Sequence, residues 1–267
     1  MTTATLETVD LKKFAAEVRV MANAVFETPG YKRVLAMPLN QKRAQVYTLQ
    51  KAHWNINRRD CWGFAQGHAP MDVKKMIWEH EEDELAGNKT RGVEDHFSLQ
   101  VRSSAEIGLT PDDFRNEPVR AGTRMAIYSY LHLVNSGHWL KSVSACAALE
   151  VSNSAEWVNG GGMSYRMGKR FESQLGIPFE KQLNAKEHAE VDVEHAHMLM
   201  QIAKRHGAAP GRPQRDAAVA RAPAHGLRWR SELRRARPHE ITAGIGRGYG
   251  GSSCCIACSL PPPRIVG

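Results

Sequence analysis

The sequence predicts one all-α domain over residues 1–206, followed by an irregular tail over residues 207–267. Apolar residues recur every three or four positions along most of the first segment, as they do in amphipathic helices. No stretch alternates apolar and β-branched residues with polar ones for long enough to predict a sheet. With 267 residues, 42% of them hydrophobic, the chain can bury a sizeable core, which excludes a wholly disordered or collagen-like protein. We therefore expect a bundle of seven or eight helices.

The predicted helices follow one another along the chain. The first, LKKFAAEVRVMANAVFE at residues 11–27, shows the amphipathic spacing clearly. Residues 110–113, Thr-Pro-Asp-Asp, are typical of a helix start, because Thr caps well, Pro fits the first position and acids favour the first turn. The other predicted helices cover residues 41–64, 71–85, 118–135, 138–151, 162–175 and 180–205.

The tail carries most of the positive charge. The chain has 36 basic and 28 acidic residues and a formal net charge of +8. Residues 207–267 contain ten Arg, no Lys and three acids, which is +7 for the tail alone and leaves about +1 for the first 206 residues. Because that segment has an ordinary charge balance, we do not expect nucleic acid as its partner.

Three interpretations fit the tail, which also holds seven Pro and nine Gly. It is a translated out-of-frame segment of a GC-rich gene, a disordered extension, or an arginine-rich arm that binds nucleic acid with the help of Trp229. We favour the first, in which case a terminal helix that should close the bundle is missing. Cys255 and Cys258 have CxxC spacing but no second ligand pair, so no zinc site is expected there.

Neither a transmembrane helix nor a secretory signal is expected. The sequence contains no run of 18 apolar residues. Residues 1–18 have no basic start followed by an apolar stretch, which a secretory signal would require. The expected location is the cytoplasm.

The strongest functional signal is KEHAEVDVEHAHMLM at residues 186–200. His188, Asp192 and His195 are spaced i, i+4 and i+7, which places them within a ~60° sector of one helix face. Two imidazoles and a carboxylate form a nitrogen and oxygen ligand set that suits iron, manganese or zinc. A charged helix surface is the alternative, but it would favour ion pairs over this stripe. The neighbours expected to face solvent are Glu187, Glu190, Glu194 and His197.

One helix cannot complete a metal site, so further ligands must come from other helices. In WEHEEDELAGNKTRGVEDHFSLQ, residues 78–100, a cluster of acids precedes His96. In SVSACAALEVSNSAEW, residues 142–157, Glu150 follows an apolar helical run. A carboxylate there is costly to bury unless it binds something charged, and a surface position for Glu150 is the alternative.

The chain resembles the heme-oxygenase-like non-heme diiron oxidases and oxygenases in three elements. These are the acids before His96, the lone Glu150 after an apolar helix, and the stripe of His188, Asp192 and His195. Members of that family share their fold with the pyrroloquinoline quinone biosynthesis oxidase and with thiaminase-type proteins. The resemblance covers about residues 10–206, and GLTPDDF at residues 108–114 also suits the layout of that family. It implies a heme-oxygenase-like bundle of about seven helices, two iron ions or an iron–manganese pair, and O2-dependent oxidation of a small metabolite that bears a carboxylate or an amine. The expected reactions are oxidative cleavage, hydroxylation or N-oxygenation. The resemblance is compatible with an external reductant and with a homodimer, and no membrane partner is expected.

Carried over to this sequence, the resemblance implies the metal ligands Glu84, His96, Glu150, His188, Asp192 and His195. The central acid departs from the family pattern, in which a Glu, often before a Gly, stands three to ten residues ahead of the His. Glu84 precedes Leu-Ala-Gly, but it stands twelve residues before His96. A short loop over residues 87–92 would accommodate the difference. Glu82 is the alternative, because an unbroken helix would place it near the face of His96.

Two other functions compete with this interpretation. The first is a cofactor-independent oxidase or a thiaminase-like hydrolase of the same fold. The hydrolase would need a cysteine nucleophile, for which Cys146 and then Cys61 are the candidates. A small cysteine in an apolar helix is more often part of the core. A non-catalytic module that binds metal or nucleic acid is the second competitor.

Five further residues are candidates for positions near the substrate or the metals. Arg58 and Arg59 could meet a substrate carboxylate, although exposed helix arginines are the default interpretation. Tyr128, His132 and His138 could support the ligands, although packing or surface positions are more frequent for such residues.

Overall fold

The computed structural model describes residues 10–135 and 138–207, without the side chain of Glu190. These ranges contain ten α-helices, two 3-10 helices at Ser104–Ile107 and Phe179–Lys181, and no strand beyond one isolated bridge. The α-helices are α1 (Leu11–Phe26), α2 (Pro29–Ala36), α3 (Gln41–His68), α4 (Met71–Ala86), α5 (His96–Ser103), α6 (Pro111–Asn116), α7 (Ala121–Asn135), α8 (Trp139–Asn153), α9 (Met163–Leu175) and α10 (Leu183–His206).

The predicted all-α fold is confirmed, with more helices than expected. Ten are present in the described ranges because helices of only eight residues, such as α2 and α5, lie between the long ones. The helix start at Thr110 is also present, since the carboxylate of Asp113 accepts hydrogen bonds from the backbone N–H and the hydroxyl of Thr110, both at 2.7 Å. The predictions for residues 208–267 lie outside the described residues and stay predictions.

Helix α10, the last helix of the described residues, lies at the centre of the bundle. It packs against α8, α9 and α5, and it also contacts α4 and α1. Its apolar residues Ala196, Leu199 and Ile202 are buried in the main hydrophobic cluster, together with Val143 and Ala147 of α8. This packing fixes the rotation of α10 about its axis, so its remaining buried face is held towards α4, α5 and α8.

None of the described helices has an apolar stretch long enough to span a membrane.

Candidate metal centre

The predicted stripe of α10 is buried. His188, Asp192 and His195 have exposures of 3%, 0% and 9%. The Nδ1 atom of His188 lies 3.1 Å from Oδ1 of Asp192, and Nδ1 of His195 lies 3.9 Å from the same oxygen. The three side chains therefore converge, as the i, i+4 and i+7 spacing predicts.

A tight turn between α4 and α5 brings His96 back to Glu84. Gly87 ends α4 with φ 75° and ψ 171°, a conformation that is essentially restricted to glycine. A Cβ atom on Gly87 would lie 2.4 Å from the carbonyl oxygen of Val93, so the close approach also requires glycine. Asn88 and Val93 then form an antiparallel bridge, and His96 is the first residue of α5. The twelve-residue separation is thus accommodated by the non-helical residues 87–95, a loop three residues longer than the predicted 87–92.

Glu84 is the central acid of α4. It is buried, and its Oε2 atom lies 3.1 Å from Nδ1 of His96, whereas its Oε1 atom lies 3.9 Å from Nδ1 of His195. Glu82 is exposed, and α4 ends before Gly87, so the unbroken helix that would place Glu82 near the face of His96 does not exist. Of the two alternatives, the structure brings Glu84 to the other predicted ligands.

Glu150 and His80 meet on the opposite side of Glu84. Glu150 of α8 is 1% exposed, so the surface alternative for this residue is wrong. The Nε2 atom of His80 lies 3.2 Å from Oε1 of Glu150, and the ring of His80 lies 4.3 Å from that of His195 between centroids. His80 is one helical turn before Glu84 on α4 and is 4% exposed.

These side chains form two groups that share Glu84, and a third group, Asp83, His96 and Glu187, shares His96 with the second. The first group is His80, Glu84, Glu150 and His195, and the second is Glu84, His96 and His188. Within each group every residue offers one ligand atom, and these atoms lie within 4.8 Å of one another. Glu84 belongs to both groups, and the Oδ1 atom of Asp192 lies near one histidine of each. The first two groups and Asp192, seven residues in all, are called the metal centre below.

Unsatisfied buried atoms mark the metal centre. His80 Nε2, Glu84 Oε1, His96 Nδ1 and His195 Nδ1 are buried and have no hydrogen-bond partner of acceptable geometry among the described residues. Buried polar atoms are normally hydrogen-bonded, and each exception requires an explanation. Imidazole nitrogens and carboxylate oxygens converging without hydrogen bonds fit a set of ligands for iron or manganese.

Amide side chains hold two residues of the metal centre in place. Asn153 of α8 donates through Nδ2 to Oδ2 of Asp192 and accepts at Oδ1 from the backbone N–H of Ser164, at 2.8 Å. Asn184, one turn before His188, donates to the backbone carbonyl of His96, at 3.0 Å. Such supporting hydrogen bonds orient metal ligands and keep the site rigid.

Two arginines of α3 neutralise carboxylates of the metal centre. Arg58 pairs with Glu150, and Arg59 pairs with Glu84 and Glu81 at 2.9 Å to each. The expectation that both arginines are exposed is wrong, since the side chains are 12% and 15% exposed. Burial opposes the ionisation of Glu84 and Glu150, but the arginines and the adjacent imidazoles outweigh it and hold the pKa of each carboxyl well below its ordinary value.

The histidines differ in their proton affinity. Burial opposes protonation of His80, but its contacts with Glu150 and Glu81 raise its pKa to about 9. The pKa of His96 is raised in the same way against burial, by Glu84. Burial lowers the pKa of His188, although Asp192 opposes the shift. A metal ion binds the neutral imidazole, so binding at His80 and His96 would release protons.

Other candidates lie away from the metal centre. Tyr128, His132 and His138 are exposed, so the surface interpretation is confirmed for them and the alternative, that they support the ligands, is wrong. Burial raises the pKa of both Cys61 and Cys146 to about 12, which keeps these thiols protonated and poorly nucleophilic.

The neighbours of the α10 stripe divide between surface and interior. Glu194 and His197 are exposed, as expected, and His197 pairs with Glu156 at 2.9 Å. Glu187 is buried and pairs with Arg91 at 2.8 Å, so the expectation that it faces solvent is wrong. The side chain of Glu190 lies outside the described residues.

Sequence reasoning missed His80. Its signal is the i, i+4 spacing of His80 and Glu84 within WEHEEDE, which places an imidazole and a carboxylate on one face of α4. The neighbouring acids Glu79, Glu81, Glu82 and Asp83 lie on the other faces of the same helix. The sequence alone therefore does not single out His80 and Glu84 among these polar residues.

Comparison with known protein families shows the family to which this chain belongs. Residues 45–231, most of the chain, match the model of a family described as iron-containing redox enzymes. No curated protein matches the chain significantly. Among solved structures, a domain of unknown function with a heme oxygenase-like fold from Shewanella denitrificans is similar, with 15% identity, 73% of this chain and 79% of that chain covered, and a TM-score of 0.47. The family match confirms the resemblance found in the sequence, and the chain belongs to the family of iron-containing redox enzymes.

Proposed function

We propose that the protein is an O2-dependent non-heme oxidase or oxygenase whose metal centre holds two iron ions. The observation that carries the proposal is the position of Glu84 in both ligand groups. Glu84, His96 and His188 would hold one ion. Glu84, Glu150 and His195 would hold the other, with His80 as a further nitrogen ligand, and Asp192 would contribute to either ion because it lies near one histidine of each group. Because the same ligand types bind manganese, an iron–manganese pair is the variant of this proposal.

Bound iron supplies one-electron chemistry and a site for O2, and the protein contributes ligand geometry and a shielded environment. Five helices, α3, α4, α5, α8 and α10, surround the metal centre. Trp62 of α3 is 1% exposed and lies against His80, with 4.8 Å between ring centroids, so it closes one side to water. The substrate would be a small metabolite bearing a carboxylate or an amine, and an external reductant would supply electrons. Cleavage, hydroxylation and N-oxygenation are the reaction classes that fit.

An anaerobic Fe(II) titration of the full chain, followed by exposure to O2, tests the proposal. We expect two irons per chain and O2 uptake accompanied by a change in the visible absorption of the iron. His188→Ala and His195→Ala should each reduce iron binding, because each removes a proposed ligand. His197→Ala is the matched control, since His197 is an exposed histidine of the same helix.

Unchanged iron stoichiometry in both ligand variants would contradict the site. A folded chain that binds no iron would contradict the proposed function and favour the cofactor-independent branch of the fold.

A further inference from the structure

Three large apolar side chains form a row along the outer surface of α4. Met71, Trp78 and Leu85 are spaced i, i+7 and i+14, which places them within a ~40° sector of the helix. They are 67%, 66% and 61% exposed. A single exposed apolar residue is ordinary, but a continuous row of them indicates a surface that binds a partner. The three residues are called the α4 stripe below.

The opposite face of α4 already has its partners in the bundle. Val73, Met76 and Ile77 are buried in the main hydrophobic cluster, and His80 and Glu84 belong to the metal centre. The α4 stripe therefore adds nothing to the core of the described bundle. A partner that covered it would gain the free energy of removing this apolar surface from water.

Three charged residues beside the stripe have no ion pair in the described ranges. Lys75, Glu79 and Glu82 are all exposed. The other charged residues of α4 have partners within the chain: Asp72 contacts His206, Lys74 donates to the backbone carbonyls of Gln66 and Gly67, Glu81 and Glu84 pair with Arg59, and Asp83 lies 3.6 Å from His195. Lys75 and Glu82 thus present opposite charges to solvent on the two sides of Trp78.

The order of these residues along α4 is self-complementary. Lys75 stands three residues before Trp78 and Glu82 four residues after it, and both lie on the same side of the α4 stripe. If a second copy of α4 runs antiparallel and meets the first at Trp78, Lys75 of each copy lies beside Glu82 of the other. Met71 of each copy likewise meets Leu85 of the other. One twofold axis generates both members of each pair, as in an isologous dimer.

Other arrangements fit the charges less well. A parallel pair of α4 helices would place Lys75 beside Lys75 and Glu82 beside Glu82, so like charges would repel. The antiparallel pair also aligns the two helix dipoles favourably. Glu79 lies about 100° around the helix from Trp78, so its two copies stay in solvent at the edge of the contact. Because α4 itself supplies both halves of the charge pattern, a second copy of this chain is the partner that fits.

We propose that the α4 stripe is the interface of a homodimer, in which α4 packs antiparallel against α4 of a second copy with Trp78 at the twofold axis. Lys75 and Glu82 form two symmetry-related ion pairs beside the apolar contact. One helix from each copy makes a small interface, so the dimer is transient, with a dissociation constant in the micromolar range. The interface does not depend on the proposed oxidase function, because the metal-centre residues His80 and Glu84 lie on the buried face of α4.

Sedimentation velocity of the full chain over a range of micromolar concentrations tests the dimer. The wild type should shift from monomer to dimer as the concentration rises. Trp78→Glu places two carboxylates at the twofold axis and should weaken association by about tenfold or more. Tyr128→Glu is the matched control, because Tyr128 is an aromatic residue of α7 with 62% exposure, and this variant should associate like the wild type. Circular dichroism checks that both variants keep the helical fold.

Charge reversals test the antiparallel arrangement. Lys75→Glu alone and Glu82→Lys alone should each weaken self-association by about tenfold, because each places like charges opposite one another in both symmetry-related pairs. The double variant Lys75→Glu/Glu82→Lys should restore association to within severalfold of the wild type. An equimolar mixture of the two single variants should form a heterodimer more tightly than either variant associates with itself.

Three results would overturn the proposal. A full chain that stays monomeric at all these concentrations would show that no second copy binds the α4 stripe. A dimer that persists unchanged in Trp78→Glu would use another face. A double variant that associates no better than the single variants would exclude the pairing of Lys75 with Glu82.

The dimer and the proposed function fail separately. Trp78→Glu should bind iron with the stoichiometry of the wild type, since Trp78 points away from the metal centre. Loss of the dimer with iron binding retained would therefore support the interface and leave the proposed function standing. A wild-type dimer that binds no iron would overturn the proposed function alone.

Discussion

Arg58 of α3 and Glu150 of α8 form a buried ion pair at the metal centre, with side-chain exposures of 12% and 1%. A carboxylate at this depth needs a charged partner, because desolvation costs several kcal/mol per ion. Burial opposes protonation of Arg58, but Glu150 and Glu84 outweigh it and raise its pKa further above its ordinary value. Since Glu150 is a proposed ligand, the guanidinium and a metal ion compete for the same carboxylate.

The substitution Arg58→Met should separate the contribution of this ion pair to stability from its competition with a metal ion. The metal-free protein should lose about 3 kcal/mol of stability, because Glu150 loses the guanidinium and keeps only the imidazole of His80 as a buried partner. Added Mn(II) should then raise the unfolding temperature more than it does in the wild type, since the carboxylate is released for the metal. Thermal unfolding with and without Mn(II) measures both effects.

Arg102→Met is the control for that substitution. Arg102 pairs with Glu94 at 2.8 Å, but both side chains are more than half exposed, so the pair contributes little. An equal Mn(II) effect in Arg58→Met and the wild type would show that the ion pair does not compete with metal.

Substitutions of Glu84 and Glu82 test whether Glu84 contributes to metal binding at both positions. Glu84→Gln should weaken metal binding at both positions, because Glu84 belongs to both groups. Glu82→Gln changes an exposed acid of the same helix two residues away and should bind metal like the wild type. The measurement is the number of Co(II) ions bound per chain. A loss in Glu82→Gln with full binding in Glu84→Gln would reverse the assignment of the central carboxylate.

Prediction of the metal centre from the sequence succeeds best where a single helix contains all the residues of a motif. The spacing of His188, Asp192 and His195 depends only on helix geometry, so their convergence could be predicted. Glu84 was instead predicted from the family resemblance, in which a Glu often stands before a Gly ahead of the His. Neither prediction needed knowledge of how helices pack.

Relationships between helices could not be predicted in this way. Exposure is the default for a helix arginine, and the sequence of α3 does not reveal that α4 and α8 place carboxylates beside Arg58 and Arg59. His80 was missed for a related reason, since only the position of α8 shows which of several polar residues of α4 faces Glu150. Tertiary packing decides these cases, and no periodicity in the sequence records it.

His80 should bind metal although it lies outside the motifs of the sequence. His80→Ala removes a buried imidazole 3.2 Å from Glu150, and we expect at least a tenfold loss of affinity for the ion held by Glu150 and His195. His132→Ala removes an exposed histidine of α7 and serves as the control. Competition between Co(II) and a coloured chelator measures the affinity. If His80→Ala and His132→Ala bind Co(II) with equal affinity, His80 only pairs with Glu150 and does not bind metal.

Gly87 should determine whether His96 reaches Glu84. Gly87→Ala forces a non-glycine residue into φ 75°, ψ 171° and places its Cβ atom against the carbonyl of Val93. We expect a loss of about 2 kcal/mol or more in the free energy of unfolding, measured by urea denaturation. Gly63→Ala, inside α3 with open space around the added methyl group, should instead stabilise the protein by up to ~1 kcal/mol. If Gly87→Ala keeps the wild-type stability and metal affinity, the geometry of this turn does not determine the position of His96. If metal affinity falls together with stability, this turn is the feature that brings Glu84 and His96 into one metal centre although twelve residues separate them.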